Sequence, residues 1–237
     1  MSTAWDHPVV TSEEWLRARR ALLVKEKELT RARDELAATR QALPWERVAK
    51  AYVFETEMGQ RTLRELFDGC GQLIVYHFMY GPDWMEGCPS CSFWTDSWDG
   101  TQIHLAHRDT SFVMASRAPL GSLLAYQKRM GWSVPWVSSL DTDFNMDFGV
   151  SFTEDQQRDG GLYNYAPAEH PMEEAPGLSV FVADGEEVFH TYSCYARGLD
   201  PLNTAYQLLD LTPKGRDEAA LPWTMAWLRR HDAYGDE

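Results

Sequence analysis

Two cysteines separated by two small residues, Cys88-Pro89-Ser90-Cys91, are the feature of this chain best suited to chemistry. Such a pair serves as a redox dithiol, as half of a metal site, or as two structural thiols. In the dithiol reading Cys88 is the nucleophile. A helix beginning at the pair would turn unpaired N–H groups and the positive end of its dipole toward Cys88, favouring thiolate over thiol. Pro89 suits the first turn, where its missing N–H has no partner to lose. Cys91 then falls one turn on, on the same face, as the resolving thiol that attacks a mixed disulfide on Cys88. The cycle needs no cofactor beyond the disulfide the pair itself forms. The metal reading calls for copper or zinc. A four-coordinate zinc needs two more ligands, and neither Cys70 nor Cys194 belongs to a second such pair. Two thiolates and one imidazole suit Cu(I), with His77 or His190 as third ligand. His104, His107 and His170 have no metal-ligand spacing to the pair.

The neighbours of the pair admit roles of their own. Carboxylates at Asp83 and Glu86 would raise the pKa of Cys88, or one would accept the proton of Cys91. His77 reads as a proton shuttle or as a satisfied strand histidine. Trp84, in the loop before the pair, is placed to line a substrate site, whereas Trp94 and Trp98 read as core. Arg117 reads as a surface arginine, with aid to an anionic or peroxide substrate as the alternative. Cys70 and Cys194 read as inert buried thiols.

The elements that must position these residues follow from pattern. Gln72–Phe78, "QLIVYHF", is a nearly continuous apolar run, as expected of a strand buried on both faces. It leads through "MYGPDWMEG" to Cys88, so the pair lies at a strand-to-helix junction, with the helix running on toward Gly100. Further strands are predicted at Phe112–Ala115, "SVPWVSS" and "VSFT", with a helix from Pro119 to Gly131 and a helical turn at "DTDFNMDFG". Residues 154–175 are polar and broken by Gly and Pro, which marks a long loop or insertion, either functional or disordered, over which Tyr163 and Tyr165 would form a lid or which they would pin. Val180–Ala183 and Val188–Tyr192 alternate about Asp184-Gly185 as a hairpin. Asp200 and Pro201 are placed to open a last helix. The tail 212–237 is irregular, with Trp223 and Trp227 as anchors. Ahead of all this, residues 1–48 form a helical arm. Thr11 and Glu14 make a capping box, Pro44 ends the run, and Trp15, Leu22, Leu29, Leu36 and Leu43 recur every seven residues. That stripe fits either docking on the chain's own domain or a homodimer. Strands alternating with helices and closing on a hairpin argue an α/β three-layer fold with a mixed sheet over 49–211.

Composition narrows the setting. A net charge of −14 repels phosphate backbones and anionic membranes, so nucleic acid and membrane partners are disfavoured. No apolar run reaches membrane-spanning length, and the first residues lack a basic stretch followed by an apolar one. A cytoplasmic address is the expectation, and a close cysteine pair there is more often catalytic or metal-binding than a structural disulfide.

The order of parts resembles the thioredoxin-like superfamily, and within it the peroxiredoxin and thiol-reductase branches. Gly59, Leu63, Leu66 and Phe67 stand as in the segment preceding the reactive strand there, "SSLDTDFNMDFGV" is similar to the stretch before a Gly-Val strand start, and "VFVADGEEVF" to the closing hairpin. Over nearly its whole length the chain is identified as a member of a bacterial family, domain of unknown function 899. The residues that carry this are "EEWLRARRALLVKEKELTRARDEL", "QLIVYHFMYGPDWMEGCPSCSFW", "RMGWSVPWVSS", "DFNMDFGVSF" and "VFHTYSCYARGLD". The resemblance implies a thioredoxin-like fold and dithiol chemistry, and the partner expected of such a dithiol is a thiol or disulfide substrate protein or a small thiol. Two positions depart from the relatives. The third residue before Cys88 is Met85, where peroxiredoxins carry a threonine, which disfavours the thiol peroxidase alternative. Gly177 occupies the slot of the substrate-docking cis-proline of thioredoxins, with Pro176 one residue early.

Overall fold

The computed structural model describes residues 7–169 and 171–235. The chain divides into two units, one ending at Pro44 and one starting at Trp45. The first is dominated by helix α1, Ser12–Gln41. Its capping box is formed: the Glu14 carboxylate accepts the Thr11 N–H at 2.9 Å and the Thr11 hydroxyl accepts the Glu14 N–H at 3.3 Å. No residue of α1 is buried, so the stripe of Trp15, Leu22, Leu29 and Leu36 is exposed along the helix. The arm ends at Pro44 rather than at residue 48, because Glu46–Arg47 (β1) already pairs with the sheet of the second unit.

That unit is built on an eight-stranded mixed sheet. Its strands are β1, Val53–Thr56 (β2), Gly59–Thr62 (β3), Gln72–His77 (β4), Thr110–Ser116 (β5), Trp136–Ser138 (β6), Gly177–Asp184 (β9) and Glu187–Tyr195 (β10). The order is β1-β10-β9-β4-β5-β6-β2-β3, with β4, β5 and β6 parallel and β9 antiparallel to β4. Parallel neighbours need crossovers. The first holds helices Pro89–Asp96 (α2) and Gln102–Ala106 (α3), and the second holds Leu120–Met130 (α4). This is an α/β arrangement of helices packed on a mixed sheet, and its central strand β4 separates two cores, as its nearly unbroken apolar run leads one to expect. Tyr76 and Phe78 join Cys91, Trp94, Leu123 and Tyr206 on one face, while Leu73 and Val75 join Phe54, Phe67, Phe144 and Phe181 on the other.

Several predicted elements are redrawn. The first helix of the crossover stops at Asp96, short of Gly100, and α3 follows it unforeseen. The expected strand at "VSFT" is absent. After Phe144–Asp147 (α5) the chain turns at Gly149 (φ 63°), and Phe152 and Ala175 exchange backbone bonds with Glu173 and Val150, leaving the single bridge Ser151–Glu174 in place of a sheet strand. The insertion 154–175 is itself structured, with helix Glu154–Asp159 (α6) and a small hairpin, Gly161–Tyr163 (β7) with Ala166–Ala168 (β8). The last helix, Thr204–Leu209 (α7), is capped by Asn203, whose side chain accepts the Tyr206 N–H at 2.9 Å. Asp200 is instead taken by Arg197 and Arg216 and sits in a 3-10 segment with Pro201. Among the described residues no helix is long and apolar enough to cross a membrane.

Candidate active site

The strand β4 delivers the chain into the loop that ends at Cys88, and Cys88 is the N-cap of α2 with Pro89 as its first residue. The loop is held from both sides. The Cys88 N–H donates to the Met79 carbonyl at 3.0 Å, and the Ser92 hydroxyl bonds the Cys88 carbonyl at 2.9 Å and Tyr126 Oη at 2.9 Å. Arg230, far along the chain, reaches back to donate to the Gly87 carbonyl at 2.8 Å and to Tyr126 Oη at 2.8 Å, and it pairs with Glu86 at 2.8 Å. Gly87 must be glycine: a Cβ there would lie 2.8 Å from the Phe78 ring and 3.1 Å from that of Tyr126.

The two thiols are unequal. Both are free. Cys88 is half-buried and Cys91 is 1% exposed. The Cys91 thiol donates to the Cys88 sulfur, and this bond together with the N–H groups of Cys91 and Ser90 and the Ser90 hydroxyl outweighs the burial that opposes the charge, so the Cys88 thiol is lowered to about 6. The helix N-terminus acts here through these first-turn donors. Burial pushes Cys91 far up, and donating to Cys88 adds to the shift. Cys91 Sγ in turn accepts the Met79 N–H at 3.4 Å and a bond from Tyr76, a fully buried phenol whose own pKa burial raises. Tyr76 is a site residue the strand pattern hides, since every residue of that run looks like core.

A cavity of about 1050 Å³ opens over the pair, lined by Tyr76, Cys88, Cys91, Glu174 and Pro176 among others. Glu174 is 2% exposed, and its carboxylate accepts from the Ser151 hydroxyl at 2.6 Å and from Arg117 at 3.2 Å. Burial outweighs both partners and raises its pKa to about 7. Arg117 is therefore the counterion of a buried carboxylate and not an ordinary surface arginine. Glu174 has no local signature; it is one of two adjacent glutamates, and the other accepts the Trp84 indole N–H at 2.8 Å.

The remaining expected residues are dispersed. Trp84 packs against the core beside the pair but is not in the cavity wall, because Glu173 pins it. Asp83 is exposed. Glu86 is exposed, is held by Arg129 and Arg230 and is not in the cavity wall. Pro176 reaches the cavity, and its carbonyl accepts the Tyr163 hydroxyl at 2.7 Å. Gly177 pairs with His77 in the sheet, where a Cβ would lie 2.7 Å from the Tyr195 ring. Tyr163 and Tyr165 pin the insertion, the latter donating to the Ser193 carbonyl at 3.0 Å. Cys194 is buried, but Cys70 is only half-buried. Trp227 anchors the tail on Phe93 and Glu218, whereas Trp223 is 68% exposed.

His77 and His190 lie on the opposite side of the sheet and join neither the dithiol nor a proton path to it. His77 is fully buried, stacks on Phe144 and bonds Ser179 Oγ at 2.8 Å, and burial lowers its pKa to about 3. Ser179 Oγ bonds Ser193 Oγ at 2.8 Å, which bonds His190 Nε2 at 2.7 Å. A bulge between His190 and Tyr192 turns His190 and Ser193 to the same face. The two-cysteine, one-histidine set is thus not brought together. Among the described residues no group of three His, Cys, Asp or Glu is arranged to hold a metal ion; His170 lies outside those residues.

Among solved structures, the chain is similar to the peroxidoxin BcpB of Mycobacterium tuberculosis, at 13% identity and a TM-score of 0.47 over 70% of this chain and 97% of that one. It is also similar to peroxiredoxin Q of Xanthomonas campestris, at 14% identity and a TM-score of 0.45 over 68% and 91% of the two chains. No curated protein sequence matches it. The family described as bacterial protein of unknown function, DUF899, matches residues 4–234, and the chain belongs to that family.

Proposed function

We propose that the protein is a thiol–disulfide oxidoreductase in which Cys88 is the nucleophile and Cys91 the resolving thiol. The observation that carries this is the asymmetry of the pair at the head of α2: a half-buried sulfur lowered toward the thiolate, with a buried partner thiol donating to it. The Cys88 thiolate attacks one sulfur of a substrate disulfide. The S–S bond breaks, one substrate thiolate leaves and takes up a proton, and Cys88 is left in a mixed disulfide. Cys91 then loses its proton and attacks Cys88 Sγ, which expels the second substrate thiol and forms the Cys88–Cys91 disulfide. The protein is oxidised by two electrons and the substrate is reduced to two thiols; an external thiol resets the pair. Glu174, buried in the same cavity with a pKa near neutrality, suits the proton acceptor for Cys91. No metal or organic cofactor enters this cycle.

Prereduced protein mixed with a disulfide releases two thiols per chain, and the Cys88→Ser variant releases none. Peroxide consumption without disulfide reduction would replace this reading by a thiol peroxidase. Copper or zinc bound at one ion per chain through the cysteines would replace it by a metal-binding module. The seven-residue stripe on α1 fits pairing with a second copy of the chain. A dimer on size exclusion that becomes a monomer in the Leu22→Glu/Leu29→Glu variant is the expected result, and an unchanged elution volume refutes the pairing.

A further inference from the structure

The cavity over the dithiol constrains what reaches it. Its volume of about 1050 Å³ stands just above the roughly 300–1,000 Å³ in which proteins enclose drug-sized ligands. The wall is mostly apolar, and its apolar part comes from distant stretches of the second unit: Met79 and Trp94 beside the pair, Phe152, Tyr163 and Met172 in or next to the insertion, and Trp223 in the tail. Met172 and Trp223 are 66% and 68% exposed at the surface.

The charged groups in the wall are already bonded within the fold. Glu174 is held by Arg117 and Ser151. Arg216 spans both oxygens of Asp210 at 2.9 and 2.8 Å and bonds Asp200 at 3.0 Å, and Asp200 also takes Arg197 at 3.1 Å. Glu218 accepts the Tyr206 hydroxyl and the Trp227 indole N–H at 2.7 Å each. A charged substituent set against the apolar part of the wall would lose hydration and meet no new partner there. An apolar substrate gains by covering the walls. Cys88, the half-buried nucleophile, lines this cavity, so a disulfide held against the apolar wall lies beside the attacking sulfur.

We infer that the substrate is a neutral, low-molecular-weight disulfide carrying bulky apolar substituents, and not a protein disulfide or a charged one. This rests on the dithiol reading of Cys88 and Cys91. The chemistry is unchanged: the substrate S–S bond is cleaved to two thiols as the protein dithiol becomes a disulfide, so a single turnover needs no other reductant.

The test uses prereduced full-length protein and one equivalent each of dibenzyl disulfide, bis(2-hydroxyethyl) disulfide, oxidised glutathione or insulin. Each rate is divided by that of dithiothreitol with the same disulfide, which removes intrinsic reactivity. The normalised rate with dibenzyl disulfide is expected to exceed the other three by about tenfold or more, as filling an apolar pocket allows. The Trp223→Ala variant is expected to lower the ratio of the dibenzyl to the hydroxyethyl rate about threefold. A normalised rate with insulin or oxidised glutathione equal to or above that with dibenzyl disulfide overturns the substrate assignment and leaves the dithiol reading standing. Release of no thiol from any of the four overturns the dithiol reading itself.

Discussion

Tyr76 and His77 are neighbours on one strand, and they show how differently the two faces of the sheet treat a polar group. Tyr76 points to the dithiol side and gives its hydroxyl to Cys91, beneath a cavity. His77 points the other way, into a closed aromatic layer, where it ends a chain of hydroxyls running through Ser179 and Ser193 to His190. Both are buried, yet one face opens to solute and collects groups whose pKa values move toward neutrality, Cys88 downward and Glu174 upward. The other face drives its histidine out of the physiological range. Burial sets the cost of a charge in both places; what differs is whether donors are aimed at the charged form.

The largest expected effect sharpens the contrast on the histidine side. His77 is held at a pKa of about 3 in the fold and returns to about 6.5 when unfolded. The unfolded chain therefore binds the proton first, so the stability that neutral His77 contributes is present above pH 6.5 and lost as pH falls toward 3. Between pH 7 and pH 4 this amounts to on the order of 3 kcal/mol. Urea unfolding at the two pH values should show a smaller acid loss in His77→Phe than in the parent. The pH profile of Cys88 alkylation should be the same in both proteins, and a moved profile would mean that the two faces are coupled.

On the dithiol face, Glu174→Gln should slow the resolving step about a hundredfold, the lower end of what a positioned proton acceptor supplies. Stopped-flow decay of the mixed disulfide reads this directly. In the parent the same step should weaken as pH falls below about 7, where Glu174 takes up its proton. A full-speed variant would remove Glu174 from the chemistry and reduce it to a partner of Arg117. A smaller effect is expected from Cys91→Ala. Iodoacetamide should trap Cys88 of the parent with a midpoint near pH 6, and loss of the Cys91 donor should move it up by about one unit. An unmoved midpoint would assign the lowered pKa to the N–H groups of α2 alone.

The sequence made some of this legible, and physics says which parts. The run "QLIVYHF" reads as a strand covered on both sides and Cys-Pro-Ser-Cys after a loop as the start of a helix, so the place of the dithiol followed from local rules. Strand parity implies that Tyr76 and His77 diverge, but not which of them meets the cysteines. Glu174 was hidden because nothing near it distinguishes it from Glu173; its burial is created by Ser151 and Arg117, which arrive from other elements. The strand expected at residues 150–153 failed for the same reason, since its backbone groups found residues 173–175 instead of the sheet.

The grip of Arg230 on Gly87 and Glu86 has a consequence in time as well as in space. The clamp on the loop that carries Cys88 lies 143 positions downstream of the glycine it holds, so during synthesis the cysteines emerge from the ribosome long before that fastening exists. The nascent dithiol lacks its finished surroundings until the arginine follows. A chain cut before residue 230 should keep its central strands while presenting a slacker and less selective pair of thiols.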